Sequence, residues 1–162
     1  MNLIEKMIRA AKLEAEFYEE VEKDEEATRE ALLVVLIVGI CSAIGTLGTG
    51  DSVGILKGLI SAIVGWVLWS AIIFLVAILL NRRVGISELL RCLGFAYSPH
   101  VLNILGLIPL VGFLVYAVVF FWGLAAFVVA VRQALDCETP RAIVVVILSS
   151  IPYVIIRFAF GL

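Results

Sequence analysis

The sequence predicts an all-α membrane protein, in which five transmembrane helices form a bundle and an amphipathic cytoplasmic helix precedes them. Of the 162 residues, 63% are hydrophobic and 16% are charged, whereas about a quarter of a soluble domain is charged. Ten of the fourteen acids lie in residues 1–30. The rest of the chain contains five apolar runs that approach the roughly 20 residues needed to cross a bilayer. Segments in lipid must pair their own backbone groups, so these runs are predicted to be helices.

The first predicted element is a charged amphipathic helix over residues 1–30. Ile4, Ile8, Ala11 and Tyr18 recur at the three- to four-residue spacing of one helix face. The first twelve residues are basic, and the following ones are strongly acidic. Three interpretations remain open: a solvated helix lying on its own bundle, an interfacial anchor held by its basic turns, or an arm that binds a partner.

The five predicted spans make residues 31–162 one membrane domain. They cover about 31–48, 56–80, 88–106, 110–133 and 140–160. Thr139 and Pro140 form a helix-start signal before the last span. An uncharged turn, "GLIPL", joins the third span to the fourth.

The distribution of basic residues predicts the orientation in the membrane. With five spans, ten Lys and Arg residues lie on the side of the N-terminus, and only Lys57 and Arg157 lie on the other. The positive-inside rule then places the N-terminus in the cytoplasm and the C-terminus outside the cell or in a lumen. In a prokaryote this membrane is the plasma membrane. Both exceptional residues lie near span ends, so we expect them to extend towards the interface.

Small residues line one face of the second predicted span. Gly54, Gly58 and Ala62 are four residues apart, and Gly65 comes three residues later. Small side chains allow helix backbones to approach closely in a membrane. The pattern predicts a helix-packing face, either within one chain or between copies in a homo-oligomer.

A polar island interrupts the third predicted span. Its members are Tyr97, Ser98, His100 and Asn103. Pro99 lacks an N–H and frees a carbonyl near Phe95, which predicts a kink there, and Pro109 predicts a second bend towards the fourth span. The interpretations are a hydrogen-bonded kink, a ligand contact or gate, and, least favoured, catalysis. No catalytic residue is assigned, because the island lacks a carboxylate, a nucleophile with its base, and a metal cluster.

The composition gives little support for a metal site, a cofactor site, a nucleic-acid interface or a charge-coupled pump. The three cysteines and the single histidine are not at metal-ligand spacing, so neither a metal nor another cofactor is predicted, and no nucleic-acid partner is expected. The middle parts of the spans contain no Asp, Glu, Lys or Arg. Intramembrane charge is typical of proton relays and ion pathways, so its absence argues against a charge-coupled pump.

Several segments together resemble the Yip family, the Ypt/Rab-interacting membrane proteins and their prokaryotic relatives. These segments are "SELLRCLGFAYSP", "LGLIPLVG", "FFWGLAAFVVAVRQAL" and "TPRAIVVVILSSIPYVII", and the similarity covers about residues 30–160. The resemblance implies a five-span bundle without enzymatic activity. For eukaryotic members it implies roles in vesicle traffic, Rab GTPase binding and membrane shaping, in homo- or hetero-oligomers.

The short N-terminal region differs from that of eukaryotic members. Its compactness indicates a prokaryotic relative and argues against Rab binding. The expected function is therefore non-enzymatic, in membrane organisation or trafficking. The expected partners are the lipid bilayer and a second copy or another membrane protein. The alternative is a small transporter or channel component with a polar constriction at Tyr97, His100 and Asn103.

Overall fold

The chain folds into a helical bundle, which confirms the predicted all-α class. A computed structural model describes residues 1–47, 54–108 and 111–160, and every regular element in these ranges is a helix. The elements are α1 (Leu3–Ala11), α2 (Ala15–Lys23), α3 (Ala27–Thr46), α4 (Ile55–Leu79), α5 (Ile86–Ala96), a 3₁₀ helix (Ser98–Leu107), α6 (Gly112–Ala134) and α7 (Thr139–Phe160).

Four of these helices have the length and composition of membrane spans. They are α3, α4, α6 and α7, with mean hydropathies of 2.0, 2.6, 2.5 and 2.2 over their most apolar stretches. They coincide with the first, second, fourth and fifth predicted spans. The first begins at Ala27, earlier than expected, because the last residues of the charged region 1–30 already belong to α3.

The third predicted span, 88–106, is not one continuous α-helix. It consists of α5, with 11 residues, and then a 3₁₀ helix of 10 residues. Pro99 lies in the first turn of the 3₁₀ helix, where its missing N–H breaks the α-helical hydrogen-bond pattern. At about 1.5 Å per residue in α-helix and about 2.0 Å in 3₁₀ helix, the two parts add up to roughly 36 Å of helix. Pro109 and the turn predicted around it lie outside the described residues.

The 3₁₀ helix is only partly enclosed by the bundle: Ser98, Pro99 and Gly106 are buried, whereas Leu102, Ile104, Leu105 and Leu107 are exposed. It packs against α3 on one side and α6 on the other, and α1 also contacts it. Helix α5 contacts α3, α4, α6 and both N-terminal helices, while α7 packs on α4 and α6. Irregular backbone at membrane depth is tolerated where protein surrounds it. Contacts with α3 and α6 therefore cover part of this long 3₁₀ segment, and the side chains that it leaves exposed are apolar.

The N-terminal region forms two short helices where one was expected. Helix α1 ends at Ala11, and Leu13 adopts a left-handed conformation with φ of 62° before α2 begins. The break turns the chain so that α2 buries Phe17, Tyr18 and Val21 in the core. We call α1 and α2 together the N-terminal hairpin. Burial of these side chains against the bundle outweighs the continuous helical pattern of the sequence.

A close seam of small residues joins α3 to α4. A Cβ atom at Gly58 would lie 2.8 Å from the Cβ of Ala43, and one at Gly39 would lie 3.1 Å from the Cβ of Ala62. At Gly54, by contrast, no atom of the described residues lies within 4 Å of such a position. In the structure, Gly58 and Ala62 thus pack within the chain, while Gly54 stands outside the seam.

Replacing Gly58 by leucine is expected to force α3 and α4 apart and to destabilise the bundle. Overpacking of a filled interface costs about 1–3 kcal/mol, and leucine adds far more than one methyl group. Gly54→Leu is the matched control, because that position is open. Thermal unfolding of both variants in detergent tests the seam. An unchanged unfolding temperature for Gly58→Leu would contradict it.

Candidate functional site

An open cavity lined by several polar side chains lies between α3, α4, the 3₁₀ helix and α7. Its volume is about 260 Å³. Five of its lining residues are small or aliphatic, and the other seven carry polar groups. The polar ones are Ser42, Thr46, Ser61, Tyr97, His100, Tyr153 and Arg157. These side chains come from separate parts of the chain, so only the tertiary fold brings them together.

The 3₁₀ helix aligns part of the polar island. Residues three apart in a 3₁₀ helix lie directly above one another. Tyr97 and His100 both line the cavity, and their ring centroids are 5.7 Å apart. Asn103, one turn further, donates from Nδ2 to Oγ of Ser42 at 3.1 Å. Tyr97 and His100 both also contact Phe127 of α6, and only Asn103 bonds to α3, so the three residues lie on neighbouring turns but contact different helices.

His100 is tightly enclosed on its far side by α6. A Cβ atom at Gly123 would lie 2.1 Å from Cε1 of the imidazole, so only glycine leaves room for the ring. The ring centroid of Phe127 lies 6.4 Å away. Nδ1 of His100 is buried, and the described residues offer it no hydrogen-bond partner. Other buried polar atoms of the described residues, including Nε1 of Trp69 and Oδ1 of Asn103, share this condition, so the cavity next to the ring, and not the unpaired nitrogen alone, makes His100 a candidate ligand contact.

Arg157 points into the bundle, in contrast to its expected extension towards the interface. It donates to Oγ of Ser61 on α4 at 2.5 Å and to the Tyr153 hydroxyl at 3.1 Å. A Cβ at Gly65 would lie 2.7 Å from its Nη1. Gly65, predicted as a packing residue, therefore provides the space that the guanidinium occupies.

The remaining member of the predicted polar cluster, Ser98, serves the backbone. It is buried, and its hydroxyl donates to the carbonyl of Phe95 at 2.6 Å. This is the region in which Pro99 leaves a carbonyl without its usual α-helical donor. Ser98 thus stabilises the junction between α5 and the 3₁₀ helix and does not line the cavity.

The cavity supports binding and helix-to-helix bonding better than covalent chemistry. Its described lining contains hydroxyls, one imidazole and one guanidinium, but no carboxylate. No group of three or more His, Cys, Asp or Glu residues within the described ranges is arranged to hold a metal ion. The hydroxyls of Ser42 and Ser61 are bonded to Asn103 and Arg157, so neither is paired with a base.

Side-chain hydrogen-bond donors of α5 and α6 bind the N-terminal hairpin to the bundle. The sequence pattern did not predict these contacts. Arg91 of α5 is 6% exposed and donates to the carbonyls of Val21 and Glu22, at the end of α2. Trp122 of α6 donates to the carbonyl of Ala11, at the end of α1, at 2.7 Å. The last carbonyls of a helix lack internal partners, so these donors satisfy groups that the helices themselves cannot.

The outward face of the hairpin is acidic. Its exposed acids, with those of the following turn, are Glu5, Glu16, Glu19, Glu20, Asp24, Glu25 and Glu26. Arg9 bridges Glu14 and Glu20, and its hydrogen bond lowers the pKa of Glu20. Burial and the neighbouring carboxylates of Asp136 and Glu88 raise the pKa of Glu22. The hairpin thus combines an apolar inner face with an outer face that is acidic along α2 and the following turn, while α1 also exposes Ile4 and Ile8.

A family model described as the Yip1 domain matches residues 13–161. The chain belongs to the Yip1 family. The predicted resemblance is confirmed, and the long apolar helices are those of a multi-pass integral membrane protein. The Yip1 family is a family of non-enzymatic membrane proteins. No curated protein and no solved structure matches the chain.

The matched region begins at Leu13, in the turn between the two N-terminal helices. The Yip1 domain therefore includes α2, the bundle and the polar cavity, whereas α1 precedes it. Arg91, which bonds to α2, acts within the domain, and Trp122 links the domain to α1. Two residues of the cavity, Tyr153 and Arg157, were not predicted as site residues. The sequence contains one weak signal for them, since they are four residues apart and so lie on one helix face.

Proposed function

We propose that this Yip1 protein works without catalysis, in membrane organisation or trafficking, by binding a protein partner through its N-terminal hairpin. The observation that carries the proposal is the way the hairpin is held: Arg91 and Trp122 secure its helix ends, while its acidic face is left exposed. A surface fixed in this way needs little ordering when a partner binds, which reduces the entropic cost of association.

The charge of the exposed face indicates the chemistry of that partner. An array of carboxylates attracts a basic surface and speeds the encounter with it. It is also repelled by anionic lipid, so the face is suited to water and to protein and not to contact with the bilayer. The proposed partner therefore presents a basic segment near the membrane surface. Rab-type GTPase binding is not part of the proposal.

The proposed orientation places this hairpin in the cytoplasm and the C-terminus outside the cell or in a lumen. Arg82, Arg132 and Arg141 lie at the ends of α4, α6 and α7 that are close to the hairpin, which supports this orientation through the positive-inside rule. For a prokaryotic protein the membrane is the plasma membrane.

Site-specific photo-crosslinking of the full chain in its native membrane tests the hairpin proposal. A photoreactive residue at Glu19 is expected to give a discrete crosslinked product that weakens in high salt. Neutralising Glu16 and Glu25 to glutamine should reduce this product about tenfold, because two favourable charge contacts are lost. Neutralising Asp136 to asparagine and Glu138 to glutamine, also exposed, is the matched control. Equal loss in both pairs, or in neither, would contradict the proposal.

A second candidate function, transport of a small polar solute, rests on the cavity that reaches His100. Its test is flux through protein reconstituted in vesicles. Ser150→Ala is the control, because its hydroxyl bonds to its own helix, at the carbonyl of Ile147, and does not line the cavity. A specific flux that is lost in His100→Ala and kept in the control would favour transport over partner binding. Absence of flux in the unaltered protein would exclude it for the solutes tried.

A further inference from the structure

A second cavity opens at the end of the bundle that bears the N-terminal hairpin. It has a volume of about 510 Å³ and lies between the end of α4, the end of α6 and the start of α7. Its mouth carries two arginines and a cysteine, and its walls are mostly apolar. The lining residues are Leu80, Arg82, Leu135, Cys137, Pro140, Arg141, Val144 and Val145.

Positive charge converges at the mouth of this cavity. Neither Arg82 nor Arg141 forms an ion pair within the described ranges 1–47, 54–108 and 111–160. Burial raises the pKa of the Cys137 thiol, while the charges of Arg82, Arg141 and Arg132 all act to lower it. Asp136 acts in the opposite sense to these arginines, so three cations and one carboxylate surround the sulfur.

The start of α7 adds to the attraction for an anion. Pro140 and Arg141 belong to the first turn of this 22-residue helix, whose dipole favours negative charge. Pro140 has no N–H, and the N–H groups of Arg141 and Ala142 donate to the carbonyl of Glu138, so the attraction comes from the dipole and from the arginine side chains. Both arginine side chains thus line the same cavity, next to the positive end of this helix dipole. Arginine's planar guanidinium fits the oxygens of a phosphate particularly well.

The apolar part of the cavity continues into the lipid-facing surface. Val144 and Val145 lie about one helical turn beyond Arg141, deeper along α7. Beyond them, Ile147 and Leu148 are 56% and 45% exposed on the same helix. A ligand that places a phosphate at the mouth can thus extend a hydrocarbon chain along α7 without leaving apolar surroundings.

We propose that this cavity binds an anionic phospholipid, with its phosphate held by Arg82 and Arg141 and one acyl chain lying along Val144. Basic pockets at the ends of transmembrane helices provide the charge complementarity that such headgroups need. A zwitterionic lipid would bring its own cation towards the arginines and lose part of this attraction. The proposal does not depend on the partner proposed for the hairpin.

Lipid titration of the full chain in a neutral detergent tests the site. The probes are phosphatidylglycerol, phosphatidylcholine and inorganic phosphate, and bound lipid is counted by native mass spectrometry. Phosphatidylglycerol is expected to bind about tenfold more tightly than phosphatidylcholine, because each nearby arginine favours an anionic headgroup. Arg82→Gln combined with Arg141→Gln should remove this preference. Arg29→Gln combined with Arg83→Gln is the matched control, since both residues are exposed and neither lines the cavity.

A local measurement separates this site from general attraction of lipid to a basic surface. Cys137 lies in the cavity, so phosphatidylglycerol should slow its alkylation by a maleimide about tenfold or more when the site is saturated, and phosphatidylcholine should not. This test uses the unaltered chain and holds even if the double variant does not fold. Equal protection of Cys137 by inorganic phosphate would show that the cavity binds a free anion and not a lipid. Equal binding of both lipids, or equal loss in the control pair, would overturn the proposal.

Discussion

Replacing Arg91 by methionine is expected to release α2 from the bundle and to destabilise the whole protein. The substitution keeps a long apolar side chain but removes both hydrogen bonds to the carbonyls of Val21 and Glu22. Hydrogen bonds to charged groups contribute about 1.5–3 kcal/mol each, so we expect the free energy of unfolding to fall by about 3 kcal/mol. Trypsin cleavage at Lys23, which is exposed, and hydrogen exchange of the α2 amides measure the release.

Two further variants separate the role of this guanidinium from the effect of its charge. Arg91→Lys keeps the charge but cannot reach two carbonyls with a planar fork, so an intermediate loss is expected. Arg83→Met removes an exposed arginine from the same end of the bundle and should leave the hairpin protected. If Arg91→Met left both the cleavage rate and the unfolding temperature unchanged, the hairpin would have to be held by its apolar face and by its other polar contacts, such as the bond from Trp122 to Ala11.

A second large effect is expected from Gly45→Ala, a change of one methyl group. Its Cβ would lie 1.9 Å from the carbonyl oxygen of Asn103 and 2.8 Å from the hydroxyl of Tyr116. The first obstacle is backbone, which cannot rotate away as a side chain can. Helix α3 and the 3₁₀ helix must therefore separate, at a cost of about 1–3 kcal/mol or more. Thermal unfolding in detergent measures the loss.

The same substitution at Gly54 provides the control for Gly45→Ala. Within the described part of the chain no atom lies within 4 Å of a Cβ built at Gly54, so Gly54→Ala should leave the unfolding temperature close to that of the unaltered chain. Separation of α3 from the 3₁₀ helix should also weaken the bond between Ser42 and Asn103, which spans the two elements. Equal stability of the two alanine variants would show that this contact adjusts at little cost.

The main helices could be predicted because each depends on its own apolar run. The structure of the third span could not, because Pro99 predicts a break in the α-helix but does not specify the conformation of the residues after it. Ten residues in 3₁₀ conformation are uncommon in isolation. Here α3, α6 and α1 pack against one side of them, and this packing depends on distant parts of the chain. The division of residues 1–30 into two helices has the same origin, since burial of Phe17 and Tyr18 decides it.

The candidate site was predictable only where it is local. The three-residue spacing of Tyr97, His100 and Asn103 places them on one face of any helix that they share. Arg157 and Ser61 are 96 residues apart and meet because α7 packs on α4. Sequence spacing carries no information about which helices are neighbours. Arg157 was therefore expected at the interface and lies instead in the cavity.

In the 3₁₀ helix Ser98–Leu107, the length of the segment and the directions of its side chains depend on the same backbone conformation. Ten residues span about 20 Å in this form and about 15 Å as an α-helix, a difference of nearly one α-helical turn. Successive residues turn by about 120° in the first form and about 100° in the second. Tyr97 and Asn103 are six residue steps apart. Conversion of this stretch to α-helix would therefore rotate the Asn103 side-chain amide by about 120° relative to Tyr97, away from Ser42. A change that shortened this segment would thus also rotate it and break the hydrogen bond between Asn103 and Ser42 of α3.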